Sequence, residues 1–506
     1  MKIHRLLSVV SLLVLLQPAT FAQYANDIDI ETLMPGSAGE PTSGAYPVEL
    51  PARGGQVDWG LALSGGGFRS AAFSIGVLKA LYEKKLIDQI DVISTVSGGG
   101  YASYWMYSKS HAAPSMNFGA GAFDESVFTT NVCNLARKSE FLPLRRMMGG
   151  LFSSDDEAFR KYREAIEFTF GGDETKSRDE KRNEGEDPLL PFTSFDQQIR
   201  DGKAPYFILN TTVAHDSLKK KDVGKIDNVQ RSFEISPFYR GSALLGYAEW
   251  PNKSPNVKTW CGGVALSAAA IRFKLNRKMA NYSEKIKNAK EIKMYDGGFS
   301  ENLGALPLIQ HRMKNIVIVD AENDAAYKFP SYKALKAYLE DPKRGNNIKL
   351  EIPQVDKFLR DGKKPFDVAA VAEGSVTYPD GYESKVYYIK MSRPTTIFTP
   401  EMQKNKTWPD GTPLPAGKRS KTRPDACAAT GLAPVTRTSL YGGMVSYSRF
   451  LNESWTWRYF FKVFPYINYN FPQLATVDQT YYRDQLEAFI ALGYLEASEI
   501  KYAAKN

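Results

Sequence analysis

The sequence predicts an α/β protein built on a mainly parallel central sheet, and three features carry that expectation. Residues 57–63 are a short apolar run of the buried-strand type, closed by Ser64-Gly65-Gly66-Gly67. A helical pattern over 69–85 follows, with Ala72, Ile75, Leu78, Ala80 and Leu81 on its apolar faces, and a second strand over 90–96. Strand, helix and strand joined by short turns are the mark of parallel pairing. Two more apolar runs, 206–213 and 316–319, supply further strands.

The rest of the chain divides around this unit. Lys2 and Arg5, an apolar run from Leu6 to Leu16, Pro18 and the small-residue spacing ending at Ala22 make residues 1–22 a signal peptide. The apolar run is shorter than the roughly 20 residues a bilayer span needs. The expected location is therefore the periplasm or the outside of the cell. Residues 23–56, rich in Gly, Pro and acidic residues, read as an extended arm. Residues 57–506 then form one body, with inserted loops near 171–188 and 325–465. A helix is expected over 100–108, another over 481–502, and polar surface segments over 216–232 and 400–427. Between 455 and 471 aromatic residues are dense, including Trp455, Trp457, Tyr459, Phe460 and Phe461. They suit either a membrane interface or packing onto the core.

Composition excludes disordered and collagen-like chains: 43% of the 506 residues are hydrophobic, 24% charged and 12% aromatic. The net charge of +9 is spread along the chain and tolerates anionic partners without selecting one. The three cysteines, Cys133, Cys261 and Cys427, have no metal-type spacing and allow one disulfide.

Two glycine-rich turns carry the chemistry. Ser97 stands directly after a strand and before a helix and is followed by Gly98, Gly99 and Gly100. Such a turn lifts a serine clear of the sheet beside a helix N-terminus, whose dipole favours developing negative charge. The usual elbow has glycine where this chain has Thr95. The earlier loop, Gly65-Gly66-Gly67-Phe68-Arg69, aims backbone N–H groups at one spot. A dinucleotide fingerprint would need a further glycine at Ser70, and a P-loop would need Gly-Lys-Ser/Thr, so a nucleotide does not fit. An oxyanion hole does, each donor being worth roughly 3 kcal/mol in acyl transfer. Arg69 adds a fixed positive charge. The base that would activate Ser97 has two sources. Of the four histidines, His4 leaves with the leader, while His111, His215 and His311 stand in no recognisable catalytic turn. The other source is Asp296, which precedes Gly297-Gly298 in a close-approach loop, although Asp-Gly also makes ordinary turns.

Taken in order, Gly65-Gly66-Gly67-Phe68-Arg69, Ser97-Gly98-Gly99 and Asp296-Gly297-Gly298 resemble the patatin-like phospholipases. The first motif is particularly similar to the catalytic domain of the calcium-activated cytosolic phospholipases; patatins more often have glycine at Ser70. The strand over 206–212, the Ala/Ser-rich stretch 266–270 and the tail 471–493 are similar in smaller ways. The resemblance covers about residues 57–320 and leaves 325–465 aside. It implies a three-layer α/β/α fold and a Ser–Asp dyad, with Ser97 as nucleophile and Asp296 as base. It implies an oxyanion hole of Gly65, Gly66 and Gly67, with Arg69 assisting there or at a lipid phosphate. The implied chemistry is a phospholipase A-type cleavage of acyl esters through an acyl-serine, with no metal or other cofactor. The implied partners are a phospholipid or other acyl lipid met transiently at a membrane surface, not nucleic acid. A general lipase, esterase or thioesterase and a non-catalytic lipid-binding protein stand as alternatives.

Overall fold

The computed structural model describes residues 58–113, 117–138, 155–171, 190–217, 226–243, 246–249, 259–268, 277–279, 292–344, 347–362, 371–392, 471–474, 476, 481 and 483–501. Its centre is a run of parallel strands. β1 (Trp59–Leu63) pairs in parallel with β2 (Val92–Val96) on one side and with β9 (Asn315–Asp320) on the other. β2 continues to β3 (Tyr206–Val213), and β9 to β12 (Glu383–Lys390), again in parallel. β1, β2 and β3 are buried at every position, which is why they read as uninterrupted apolar runs rather than alternating ones. Beyond this centre the sheet turns antiparallel. β4 (Ser232–Ile235), β5 (Tyr239–Ser242) and β6 (Gly246–Glu249) extend it past β3. β10 (Lys349–Glu351) and β11 (Val371–Thr377) extend it past β12. A side pair, β7 (Arg277–Met279) with β8 (Ile292–Asp296), joins the end of β3 through β8.

Helices flank this sheet in the α/β/α manner. α1 (Gly67–Glu83) and α2 (Gly98–Ala112) are the crossovers that follow β1 and β2. They pack with α3 (Glu125–Lys138), α4 (Asp155–Phe170), α5 (Trp260–Ser267) and, near the end of the described chain, the helix Arg483–Ser498. Elsewhere α6 (Leu306–Gln310) lies against β1 and β2, with Leu308 filling the space that Gly60 leaves. α7 (Pro330–Glu340) lies on β10, and α8 (Pro353–Asp361) on β11. The C-terminal helix is therefore α9.

The contact between α1 and α9 is backbone to backbone. A Cβ on Gly76 would come within 1.9 Å of Ile490 O, and one on Gly493 within 2.0 Å of Phe73 O. Two glycines on facing helices let the axes approach more closely than side chains permit. This crossing fixes the C-terminal helix on the crossover that leads out of β1.

One expectation needs revision. Residues 325–465 are not simply an inserted loop: their described part supplies α7, β10, α8, β11 and β12, three of them strands of the central sheet. These were hard to read because β10 has only 3 residues and β11 carries Gly374 and alternates inward and outward residues. Leu266 and Ser267 of the Ala/Ser-rich stretch end α5. The leader, the arm, 172–189 and almost all of the aromatic segment lie outside the described residues; Phe471 packs on Phe489 with ring centroids 4.9 Å apart. Cys133 is disulfide-bonded, and Cys261 is a buried free thiol. Among the described residues no helix is long and apolar enough to cross a membrane.

Candidate active site

Ser97 sits at the carboxyl end of β2, between the ends of β1 and β3, the place where open α/β sheets bind ligands. Its backbone has φ 49° and ψ −114°, a conformation that costs an L-residue about 1–3 kcal/mol and persists only where surroundings enforce it. The surroundings are glycines. A Cβ on Gly98 would stand 2.1 Å from Gly67 O, and one on Gly99 2.3 Å from Leu63 O. The N-termini of α1 and α2 thus meet backbone against backbone beside Ser97. Thr95, in the place of the usual elbow glycine, is fully buried and donates its hydroxyl to Ile208 O at 3.4 Å. The Ser97 N–H donates to Ser267 Oγ at 3.0 Å.

The glycine loop divides its labour. Gly65 N–H donates to Asn302 O at 2.9 Å, so its amide is not free for an oxyanion, contrary to the expectation that all three glycines contribute. Gly65 instead makes room for Asn302, whose Oδ1 a Cβ would meet at 2.3 Å. Gly66, at φ 146°, and Gly67, at φ 63°, turn the chain into α1. Their amides belong to the helix N-terminus, which has no intrahelical acceptors. Ser70, where patatins more often have glycine, closes the loop by donating its hydroxyl to Ser64 O at 2.6 Å.

Arg69 departs further from its expected place. Its guanidinium is buried at 1% exposure and is committed to main-chain and hydroxyl acceptors. Nε and Nη2 donate to Ala321 O at 3.1 Å each, and Nη1 donates to Leu474 O and, at 3.3 Å, to Thr476 Oγ1. Arg69 ties the glycine loop to the end of β9 and to the tail around 474. Burial lowers its pKa, while Tyr481, Glu322 and Asp320 work in the opposite direction.

Asp296 ends β8, opposite Thr211 of β3. The pairing brings its loop to the end of β3 beside Val96, one residue before the nucleophile candidate. The carboxylate is 6% exposed and accepts the Gly298 N–H at 2.7 Å. Burial pushes its pKa up to about 6, while the Gly298 N–H and the Ser97 side chain work in the opposite direction, favouring the ionised form. Gly297 is required because Asn210 O lies where its Cβ would be, 2.3 Å away. Thr212 Oγ1 donates to Asp296 O at 2.7 Å and locks the loop to β3. Glu301, further along, caps the following turn: its carboxylate accepts Leu303 N–H at 2.5 Å and Leu306 N–H at 3.2 Å.

Two of the histidines considered as alternative bases lie away from Ser97. His311 lines a small cavity with Tyr206, Glu234 and Tyr247, and burial drives its pKa down to about 3. His111 stands at the end of α2, against Phe195, with ring centroids 5.5 Å apart. Sequence reasoning missed Ser267, Asn210 and Asn302 as supports of the site. Their signals were faint: an Ala/Ser-rich stretch, a strand-end Asn and an Asn in the Asp296 loop.

Ser97 and the buried Asp296 carboxylate lie at the ends of neighbouring strands, and the comparison with known proteins adds the family. Residues 61–309 match the family model described as patatin-like phospholipase. The chain carries a patatin-like phospholipase domain. That domain spans the whole site, from β1 to α6. Among solved structures, human GIVD cytosolic phospholipase A2 is similar at 11% identity and TM-score 0.53, over 87% of this chain and 58% of that one. The same human protein in complex with methyl gamma-linolenyl fluorophosphonate is similar at 13% identity and TM-score 0.49, over 89% and 57%. VipD from Legionella pneumophila gives 15% identity and TM-score 0.26, over 56% and 53%. The chain thus spans a little over half the length of each. At 11% identity the likeness to the first of these concerns the fold alone. No curated protein matches the sequence.

Proposed function

We propose that this patatin-like domain is a lipid acyl hydrolase of the phospholipase A type. Ser97 is the nucleophile and Asp296 its base. The observation that carries the reading is the strained elbow at Ser97, where two helix N-termini meet, with the buried Asp296 carboxylate at the neighbouring strand end and held toward its ionised form by the Ser97 side chain. The ionised carboxylate takes the Ser97 proton as Oγ attacks the ester carbonyl. The amides of Gly66 and Gly67 face the developing oxyanion, and Gly65 and Arg69 shape the loop that presents them. The leaving alcohol takes the proton back. Water, deprotonated by Asp296, then releases the fatty acid from the acyl-serine. The leader and the positive charge fit an exported enzyme that meets anionic lipid surfaces.

The test is fatty-acid release from phospholipid vesicles by the purified protein, beside Ser97→Ala and Asp296→Asn. Release by the native chain, lost in both variants while both remain folded, is the expected result. Loss with Ser97→Ala alone moves the base elsewhere, first to His111, His215 and His311. Cleavage of short soluble esters or thioesters with intact vesicles makes the protein a general esterase or thioesterase. Vesicle binding without turnover of any ester makes it a lipid-binding protein.

A further inference from the structure

α5 ends on Ser267, whose side chain is fully buried. Its hydroxyl serves two backbones at once. The oxygen accepts Ser97 N–H at 3.0 Å, and the proton goes to Asn210 O at 2.6 Å. The first partner belongs to the residue with the strained φ of 49°. The second is the atom on which Gly297 rests, since a Cβ there would approach Asn210 O to 2.3 Å. Gly297 directly follows Asp296. The bridge stands where the β2–β3 ladder ends, at the paired residues Val96 and Asn210. Both bonds are buried, so neither exchanges readily with water, and losing the hydroxyl strands an N–H and a carbonyl together.

We propose that Ser267 is a positioning residue for the Ser97–Asp296 pair, its hydroxyl holding the elbow and the floor of the Asp296 loop in one bridge. The proposal rests on the reading of Ser97 as nucleophile. Ser267 is fully buried beneath the elbow, and the proposal gives it no contact with substrate. Other bonds to the same backbones do not replace it: Asn210 Nδ2 holds Thr95 O and Ser94 Oγ, both within β2 and before the elbow. Without the bridge, Ser97 is free to relax from its strained conformation and its side chain moves away from Asp296. That side chain is one of the groups lowering the Asp296 pKa, so its withdrawal carries the pKa upward.

The experiment compares Ser267→Ala, Ser267→Thr and Ser97→Ala with Thr259→Ala in the full chain, on the substrate that the native protein turns over. Thr259 caps the N-terminus of the same helix, accepting Gly262 N–H at 3.2 Å, and reports helix destabilisation without touching the elbow. We expect Ser267→Ala to lower kcat about ten- to a hundredfold, the scale of a small misplacement of reacting groups, with KM unchanged. Its acid limb should move to higher pH, Ser267→Thr should recover part of kcat, and Thr259→Ala should keep both kcat and the limb. A native kcat in Ser267→Ala overturns the proposal, as does a loss no greater than that of Thr259→Ala. So does a loss carried by KM alone. Should Ser267→Ala fail to fold, Ser267→Thr decides: a native acid limb and kcat support the hydroxyl bridge, and a lost kcat in a folded protein overturns it. Activity surviving in Ser97→Ala removes the nucleophile assignment itself, a separate failure.

Discussion

The chemistry of single residues turns on one carboxyl group that the fold has taken out of water. Asp296 must be ionised to accept a proton, and burial has moved its pKa from 3.8 to about 6. Hydrolysis should therefore fall as pH drops through about 6, on a limb set by one ionisation. A pH profile of kcat/KM measures it; a limb near pH 4 would mean that Asp296 is not the titrating base. The same shift has a stability consequence of definite sign. A carboxyl whose folded pKa lies above its unfolded pKa favours the folded state when protonated, below pH 3.8, and loses that contribution as pH rises to about 6. At pH 8 the ionised form costs on the order of 3 kcal/mol, from about 1.4 kcal/mol per pKa unit. Asp296→Asn keeps an acceptor for Gly298 N–H and avoids that cost. We expect the inactive variant to be the more stable protein at pH 8 and to lose its advantage near pH 4. Urea unfolding at the two pH values checks this, and a variant less stable than the native chain at pH 8 would contradict it.

Among elements, the crossing of α1 and α9 links the C-terminal helix to the site, because α1 begins at Gly67 in the glycine loop. Gly493→Ala sets two effects against each other. Alanine in a helix interior gains about 1 kcal/mol over glycine. A Cβ 2.0 Å from Phe73 O forces the two backbones apart, and overpacking costs about 1–3 kcal/mol, more when backbone must move. Sterics should win, lowering the urea midpoint. A raised midpoint would show that the crossing is looser than its backbone contacts indicate.

Across the whole molecule, charged groups buried behind the glycine loop join distant parts of the chain. Lys390, at the end of β12, is 1% exposed and lies 2.8 Å from Asp320 Oδ2 and 3.8 Å from Asp324 Oδ2. Tyr388 donates its hydroxyl to Asp320, and Gln473 of the tail accepts Asp324 N–H at 2.6 Å. Arg69 reaches the same region from α1. β9, β12, the tail and α1 are thus connected through one buried polar network. Removing one partner of a buried pair costs about 3–5 kcal/mol, because the other charge is left unpaired. Lys390→Met should destabilise the chain by that amount. A change under about 1 kcal/mol in the urea midpoint analysis would mean that the aspartates find other compensation.

What the sequence determined by itself was local. The apolar runs at β1, β2, β3 and β9 marked buried parallel strands because both faces of such strands are covered. The glycines at 65–67, 98–99 and 297–298 marked places where another part of the chain comes close: backbone at Gly98, Gly99 and Gly297, the Asn302 side chain at Gly65 and Gly298. Ser97 and Asp296 were legible because each stands beside such glycines. The tertiary structure decided everything that depends on what approaches from elsewhere. It assigned the Gly65 amide to Asn302, turned Arg69 inward to the tail, and placed Ser267 between two loops. It made β10, β11 and β12 part of the sheet. It also raised the Asp296 pKa, which no motif encodes. A residue's own conformational limits are written in its type and its neighbours in sequence. Its solvation and its hydrogen-bond partners are set by residues far along the chain, and only folding brings those together.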